Sequence, residues 1–405
     1  MQGDRLCEKC GQLIPRGTTD CPICANSLGF SLRRETLLFL SFGMLVVLFG
    51  VTGVLVKQYH ARERALARQW HDRGEAKLRQ GNAADAIPDF RTALFHSEGN
   101  PDYQLQLAQS LVASGHEEEA RVYLIRLWES DPASGPVNLE LALLAERQAD
   151  IPQVISYYHN AIDGVWPGSA PTEPRVLRQQ LCEYLIDHGR HAEALAELIA
   201  LSSETPDDAP LLTQVAGLFL KAQDYDSALK EYIRALRRNR RLPAPWAGAG
   251  KAAFMMGDYR AARIYLAGAL ARNRHDAESA ELLATTNQVE QADPFDRRAP
   301  AQVRQRRAVF DFSHALARLE ACAQSQSEDL RVAANPPTDL QNLYTAAMKM
   351  KPLMREIGLR RDPDLLDSGM SLVFQIEQAT ARQCGAPSGI DQALLLIGQK
   401  NGGAN

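Results

Sequence analysis

Small residues and aromatics return every 34 residues between Ala67 and about residue 276, and a period of this length narrows the fold more than any other feature of the chain. The first unit carries Trp70, Gly74, Gly81, Ala86, Phe90 and Ala93, and the second Leu107, Ala108, Gly115, Ala120, Leu124 and Pro132. A third has Leu141, Ala142, Tyr158 and Ala161. After a Pro- and Gly-rich insertion (VWPGSAPTEP, 165–174), a fourth shows Leu181, Cys182, Gly189, Ala194 and Pro206. The fifth has Ala216, Phe219, Tyr225, Ala228, Tyr232 and Ala235; the sixth has Trp246, Gly250, Gly257, Tyr259, Ala262 and Ala269. Gly or Ala at the eighth and twentieth places lets paired helices approach closely, and the aromatics fill the gaps between successive pairs. The spacing predicts a stack of helix pairs, with 277–292 as one more amphipathic helix covering the last pair.

Residues 67–276 resemble the tetratricopeptide repeat family. The resemblance implies an all-α solenoid whose concave groove, lined by the first helix of each pair, takes an extended peptide or a helix. Some relatives clamp a C-terminal carboxylate with Lys and Asn at the fifth and ninth places. Here those places hold His71 and Glu75, Leu105 and Gln109, Leu139 and Leu143, so the clamp is absent. An apolar middle groove suits a hydrophobic segment of a partner, or equally a self-contact. Cys182 occupies a small-residue place and reads as a packed thiol. GAGK (248–251) looks like part of a phosphate loop, but it falls at a close-packing position and Ala follows Lys251. RRNRR (237–241) ends a helix, where cations favour the dipole, and reads as a solvated turn.

Ahead of the repeats lie two unlike segments. Cys7, Cys10, Cys21 and Cys24 form two CxxC pairs ten residues apart, a set of thiolates suited to a tetrahedral Zn2+. Gly11 fits the positive φ that follows such a pair. The pattern resembles the short zinc ribbons of bacterial proteins. Arg5, Lys9 and Arg16 are balanced by Asp4, Glu8 and Asp20, which leaves no basic face for nucleic acid. Residues 36–56 carry no charged side chain and make a helix about 30 Å long, the thickness of a bilayer core. A signal peptide has a shorter apolar core. Arg5, Lys9, Arg16, Arg33 and Arg34 precede the span, and Lys57, Arg62, Arg64, Arg68 and Arg73 follow it, so flanking charge does not set its direction. Free thiolates survive in a reducing cytosol, which puts the N-terminus inside and the repeats outside the inner membrane.

Pro294 and Pro300 break the solenoid. Helices are predicted at 301–327, 338–357, 363–385 and 389–400, with starts signalled by Thr338 with Gln341 and by Asp362 before Pro363. Pro352 interrupts the second. Cys322 and Cys384 fall at one end of an up-down-up bundle and can pair as a disulfide. The expected organisation is a zinc ribbon (1–30), a transmembrane helix (36–56), a repeat solenoid (67–292) and a C-terminal helical domain (293–405).

With a net charge of −4 and 23% charged residues, the whole chain is no polyanion binder. No nucleophile elbow, HExxH or nucleotide fingerprint is present, and the nine histidines are dispersed. The expected function is a membrane-anchored scaffold in envelope assembly or quality control. It binds protein partners, acts on no evident small-molecule substrate and is no enzyme. The alternative is an accessory subunit or enzyme of an envelope complex; a deep polar pocket in 301–400 would favour it.

Overall fold

In a computed structural model that describes residues 5–168, 174–331 and 336–402, the chain is all-α apart from one short hairpin. It comprises two compact units, Met1–Gln148 and Ala149–Asn405. The division falls inside the repeat array, which the 34-residue period alone does not mark.

In the first unit, β1 (Arg5–Leu6) pairs antiparallel with β2 (Leu13–Ile14). Helix α1 (Pro22–Arg79) follows, with Cys21 at its N-cap and Pro22 in its first turn, where the missing N–H costs nothing. No proline interrupts α1 beyond that turn. Its stretch from Leu37 to Val56 exposes one large apolar side chain after another, Phe39 at 76% and Phe49 at 71%. Farther along, Ala67 is fully buried and Gly74 lies against Phe90, so the same helix becomes the first helix of the first repeat. A Cβ at Gly74 would come within 2.9 Å of the Phe90 ring. The sequence suggests one element ending at 56 and another beginning at 67; the structure has one continuous helix.

Helices α2 (Ala83–His96), α3 (Pro101–Ala113), α4 (Glu117–Ser130) and α5 (Gly135–Arg147) complete this unit, each packed on the one before. Alternate helices also touch, α1 with α3 and α3 with α5, as stacked pairs require. The turn within each pair uses a left-handed residue: Gly81 (φ 82°) and Gly115 (φ 81°) here. In the second unit Gly189 and Gly257 repeat the device, and Gln223 (φ 65°) holds the same position without a glycine.

The second unit continues with α6 (Ile151–Ile162), α7 (Pro174–Asp187), α8 (His191–Glu204), α9 (Ala209–Lys221), α10 (Tyr225–Arg238), α11 (Pro243–Met255), α12 (Tyr259–Arg272) and α13 (Ala277–Ala292). The middle of the 165–174 insertion lies outside the described residues. Aspartates open several of these helices, Asp224, Asp258 and Asp276 each accepting a backbone N–H three residues on. Tyr158, Leu181, Leu198 and Phe219 fill the gaps between pairs. Cys182 is fully buried, and burial pushes its thiol up to about 12, which makes it an inert core residue.

The chain ends in α14 (Ala301–Ser325), α15 (Asp339–Met350), α16 (Glu356–Arg361), α17 (Asp364–Cys384) and α18 (Ile390–Gly402). One expectation is corrected. The predicted helix over 338–357 stops at Met350, and α16 is a separate short helix, because Pro352 cannot continue the backbone ladder. The capping box of Thr338 and Gln341 is present. Phe312, Leu316, Val373, Ile376 and Leu394 share one core with Tyr259 and Val289, so the bundle is built onto the last repeat helices.

Candidate functional site

The four N-terminal cysteines converge. Gly11, in the left-handed region (φ 73°), donates to the Cys7 carbonyl at 2.8 Å and folds the first CxxC back on itself. The second is made differently: Cys21 caps α1 and Cys24 lies in its first turn, where the helix dipole favours a thiolate. All four Sγ atoms lie within 4.8 Å of one another, Cys7 to Cys24 at 3.9 Å and Cys10 to Cys21 at 3.5 Å. A tetrahedron with Zn–S bonds of about 2.3 Å has edges of about 3.8 Å, so the sulfurs fit that ion. None of these four is in a disulfide. The backbone N–H groups of Lys9 and Cys10 bring Cys7 down to about 7, whereas the Cys10 side chain and burial push Cys24 up to about 12. Crowded sulfurs of this kind cannot all ionise without a cation among them.

The residues assigned to the groove fall on α1, α3 and α5, and each is half-buried: His71 and Glu75, Leu105 and Gln109, Leu139 and Leu143. His71 stacks on Tyr103, ring centroids 4.7 Å apart, and its Nδ1 lies 3.3 Å from an Asp72 oxygen. Glu75 pairs with Arg79 at 3.4 Å. The face is less apolar than its leucines suggest, because Gln109 donates to Glu140 at 2.9 Å across the α3–α5 gap. Burial raises the Glu140 carboxyl, against the Gln109 bond and the Arg147 charge. No sequence motif marks Glu140. Its signal was position: one residue from Leu139, it faces the helix two elements back.

GAGK and RRNRR are structural. A Cβ at Gly248 would come within 2.1 Å of Tyr232 and one at Gly250 within 2.6 Å of Leu266, while Lys251 pairs with Glu278. Arg238 pairs with Asp207, and the Arg240 carbonyl accepts from Trp246 at 3.0 Å and Arg272 at 2.7 Å.

In the C-terminal bundle, a disulfide joins Cys322 to Cys384 with their Cα atoms 5.6 Å apart. It ties the C-terminal ends of α14 and α17. Charges that sequence patterning had not singled out are buried between these helices. Glu377 is fully buried and accepts from Arg318 at 2.8 Å; Arg318 also meets Asp391 at 2.7 Å, as does His314. Burial pushes Glu377 up to about 7 against the pull of Arg318. Asp311 is buried with neither oxygen hydrogen-bonded, and burial pushes it up to about 8 despite Arg307 nearby. No local sequence signal marks these acids, since their burial comes from packing between distant helices.

Comparison with known proteins bears on the repeats. Residues 77–145 match the family described as tetratricopeptide repeat. The chain contains tetratricopeptide repeats. No curated protein matches it closely enough to count. Among solved structures it is similar to PilW, described as a widely conserved type IV pilus biogenesis factor, at 18% identity over 54% of this chain and 98% of that one, with a TM-score of 0.37. The C-terminal part of a repeat-containing protein from Cytophaga hutchinsonii aligns at 12% identity over 58% and 93%, TM-score 0.43. PilF of Pseudomonas aeruginosa aligns at 20% over 51% and 88%, TM-score 0.30. Overlays this loose carry nothing about function.

Proposed function

We propose that this chain is a single-pass, inner-membrane scaffold that recruits protein partners to the bacterial envelope, with a Zn2+-bound ribbon in the cytoplasm and its tetratricopeptide repeats outside. The observation that supports it is the unbroken α1. One helix exposes a charge-free apolar stretch of bilayer length and then buries Ala67 and Gly74 in the first repeat. A helix apolar on all sides finds its solvent in lipid, and its continuation gives the repeats a stiff mount. The half-buried face of His71, Glu75, Leu105, Gln109, Leu139 and Leu143 is the surface for a partner segment, apolar at its leucines and read in the middle by Gln109 and Glu140.

The test is topology. Protease added to intact spheroplasts is expected to digest the repeats and leave residues 1–56 protected; an N-terminus accessible from outside would reverse the assignment. A second reading, an accessory subunit whose site lies in 293–405, draws on the buried and unpartnered Asp311.

A further inference from the structure

A cleft of about 430 Å³ opens between α13 and α14, beside Ile390 at the start of α18. Its volume lies in the range of small-molecule sites. We propose that this cleft binds a carboxylate carried on a short apolar stem. The proposal stands apart from the scaffold reading, whose groove residues belong to α1, α3 and α5.

Asp311 lines the cleft, is fully buried and has no hydrogen-bond partner at either oxygen. An ionised carboxylate in that position is heavily penalised, so burial keeps the group protonated near neutral pH. It is then an O–H donor without an acceptor. The other polar groups of the lining also bring donors: the guanidiniums of Arg306 and Arg307 and the carboxamides of Gln288 and Gln291. Arg307 spends Nη1 on the Asp293 carbonyl at 2.8 Å, and Arg306 reaches Glu356 only at 3.5 Å. Glu356 and the nearby Asp293 carboxylate offset part of the guanidinium charge, but the groups that line the cleft itself are donors, which favours a ligand with free lone pairs over an ammonium group.

The remaining wall is apolar. Ala292 and Ile390 line it, and Phe310 stands at it 56% exposed. Phe310 stacks on His314 with ring centroids 6.1 Å apart, and the exposed remainder of its ring can take an apolar stem. The carboxylate can come from a free short-chain acid or from the C-terminus of a polypeptide; the head group is the same.

Saturation-transfer NMR on the full chain in nanodiscs, with empty nanodiscs as control, tests this with butanoate, butylamine, and acetyl-Ala-Val-Leu as free acid and as amide. Butanoate or the free-acid peptide is expected to bind, and butylamine and the peptide amide are not. A peptide at least tenfold tighter than butanoate would identify a chain terminus as the source; equal or weaker binding would identify a free acid. Asp311→Leu is expected to weaken binding at least tenfold. Asp311→Asn, which still donates, should stay within about threefold of the wild type. Phe310→Ser changes an exposed side chain and should lower affinity about threefold with unchanged helicity. Binding of butylamine instead, no carboxylate binding, or binding indifferent to both Asp311→Leu and Phe310→Ser would overturn the proposal.

Discussion

Asp311 shows how one residue sets a condition on the whole second unit. Its carboxyl is pushed up to about 8 from an ordinary value of 3.8, so the folded chain holds a proton that the unfolded chain releases near pH 4. Stability therefore falls as pH rises from about 4 to about 8, the reverse of a salt-bridged acid. Asp311→Asn is expected to flatten that slope and to raise stability near pH 7 by a few kcal/mol, on the order of the linkage between the two values. Denaturant unfolding at pH 5 and pH 8, wild type against variant, measures it; equal slopes would refute it. Residues of this kind were hidden in the sequence. The period located Gly74 and Cys182 because close packing demands small side chains at fixed places. It could not locate Asp311, Glu377 or Glu140, whose environments come from other helices: Arg318 lies 59 residues from Glu377 and Gln109 lies 31 residues from Glu140. It also missed Gln223, where a turn adopts the left-handed conformation without the glycine that signals it.

Helices were the more legible scale. The repeat period and the start signal at Thr338 mark where helices form, since both are local rules of spacing and capping. Pro352 was legible as an interruption, but whether it bends a helix or ends it depends on what packs around it, and here it ends α15. The joining of the apolar stretch to the first repeat was not legible, because its composition changes from apolar to charged at Lys57 while the backbone does not change at all. Spin labels at positions 57 and 79 test this continuity. A straight helix separates them by about 33 Å, with a narrow distribution. A broad or much shorter distribution would mean that α1 breaks where its composition changes. The metal knob, half of which is the start of α1, has its own test. Protein purified from zinc-replete cells should carry one zinc per chain, and Cys7→Ser should release it while the unfolding of the repeats stays unchanged. Zinc-free protein with intact thiols would remove the metal from the account.

For the molecule as a whole, the proposal joins three environments along one chain: thiolates in a reducing compartment, an apolar helix in lipid, and repeats in a compartment where Cys322 and Cys384 can stay paired. In that proposal the working surface is the face of α1, α3 and α5, on the helix proposed to continue into the bilayer. Its half-buried leucines and the Gln109–Glu140 pair suit a partner segment that is apolar with one polar anchor, rather than a charged terminus. The most direct measurement is in-cell photo-crosslinking from a reactive residue placed at 105 or at 139, with the adducts identified by mass spectrometry. Adducts with a second protein are expected, and they should be lost when Leu143→Asp is added although helicity is retained. Adducts only with this chain itself, or none from either position, would contradict the proposal.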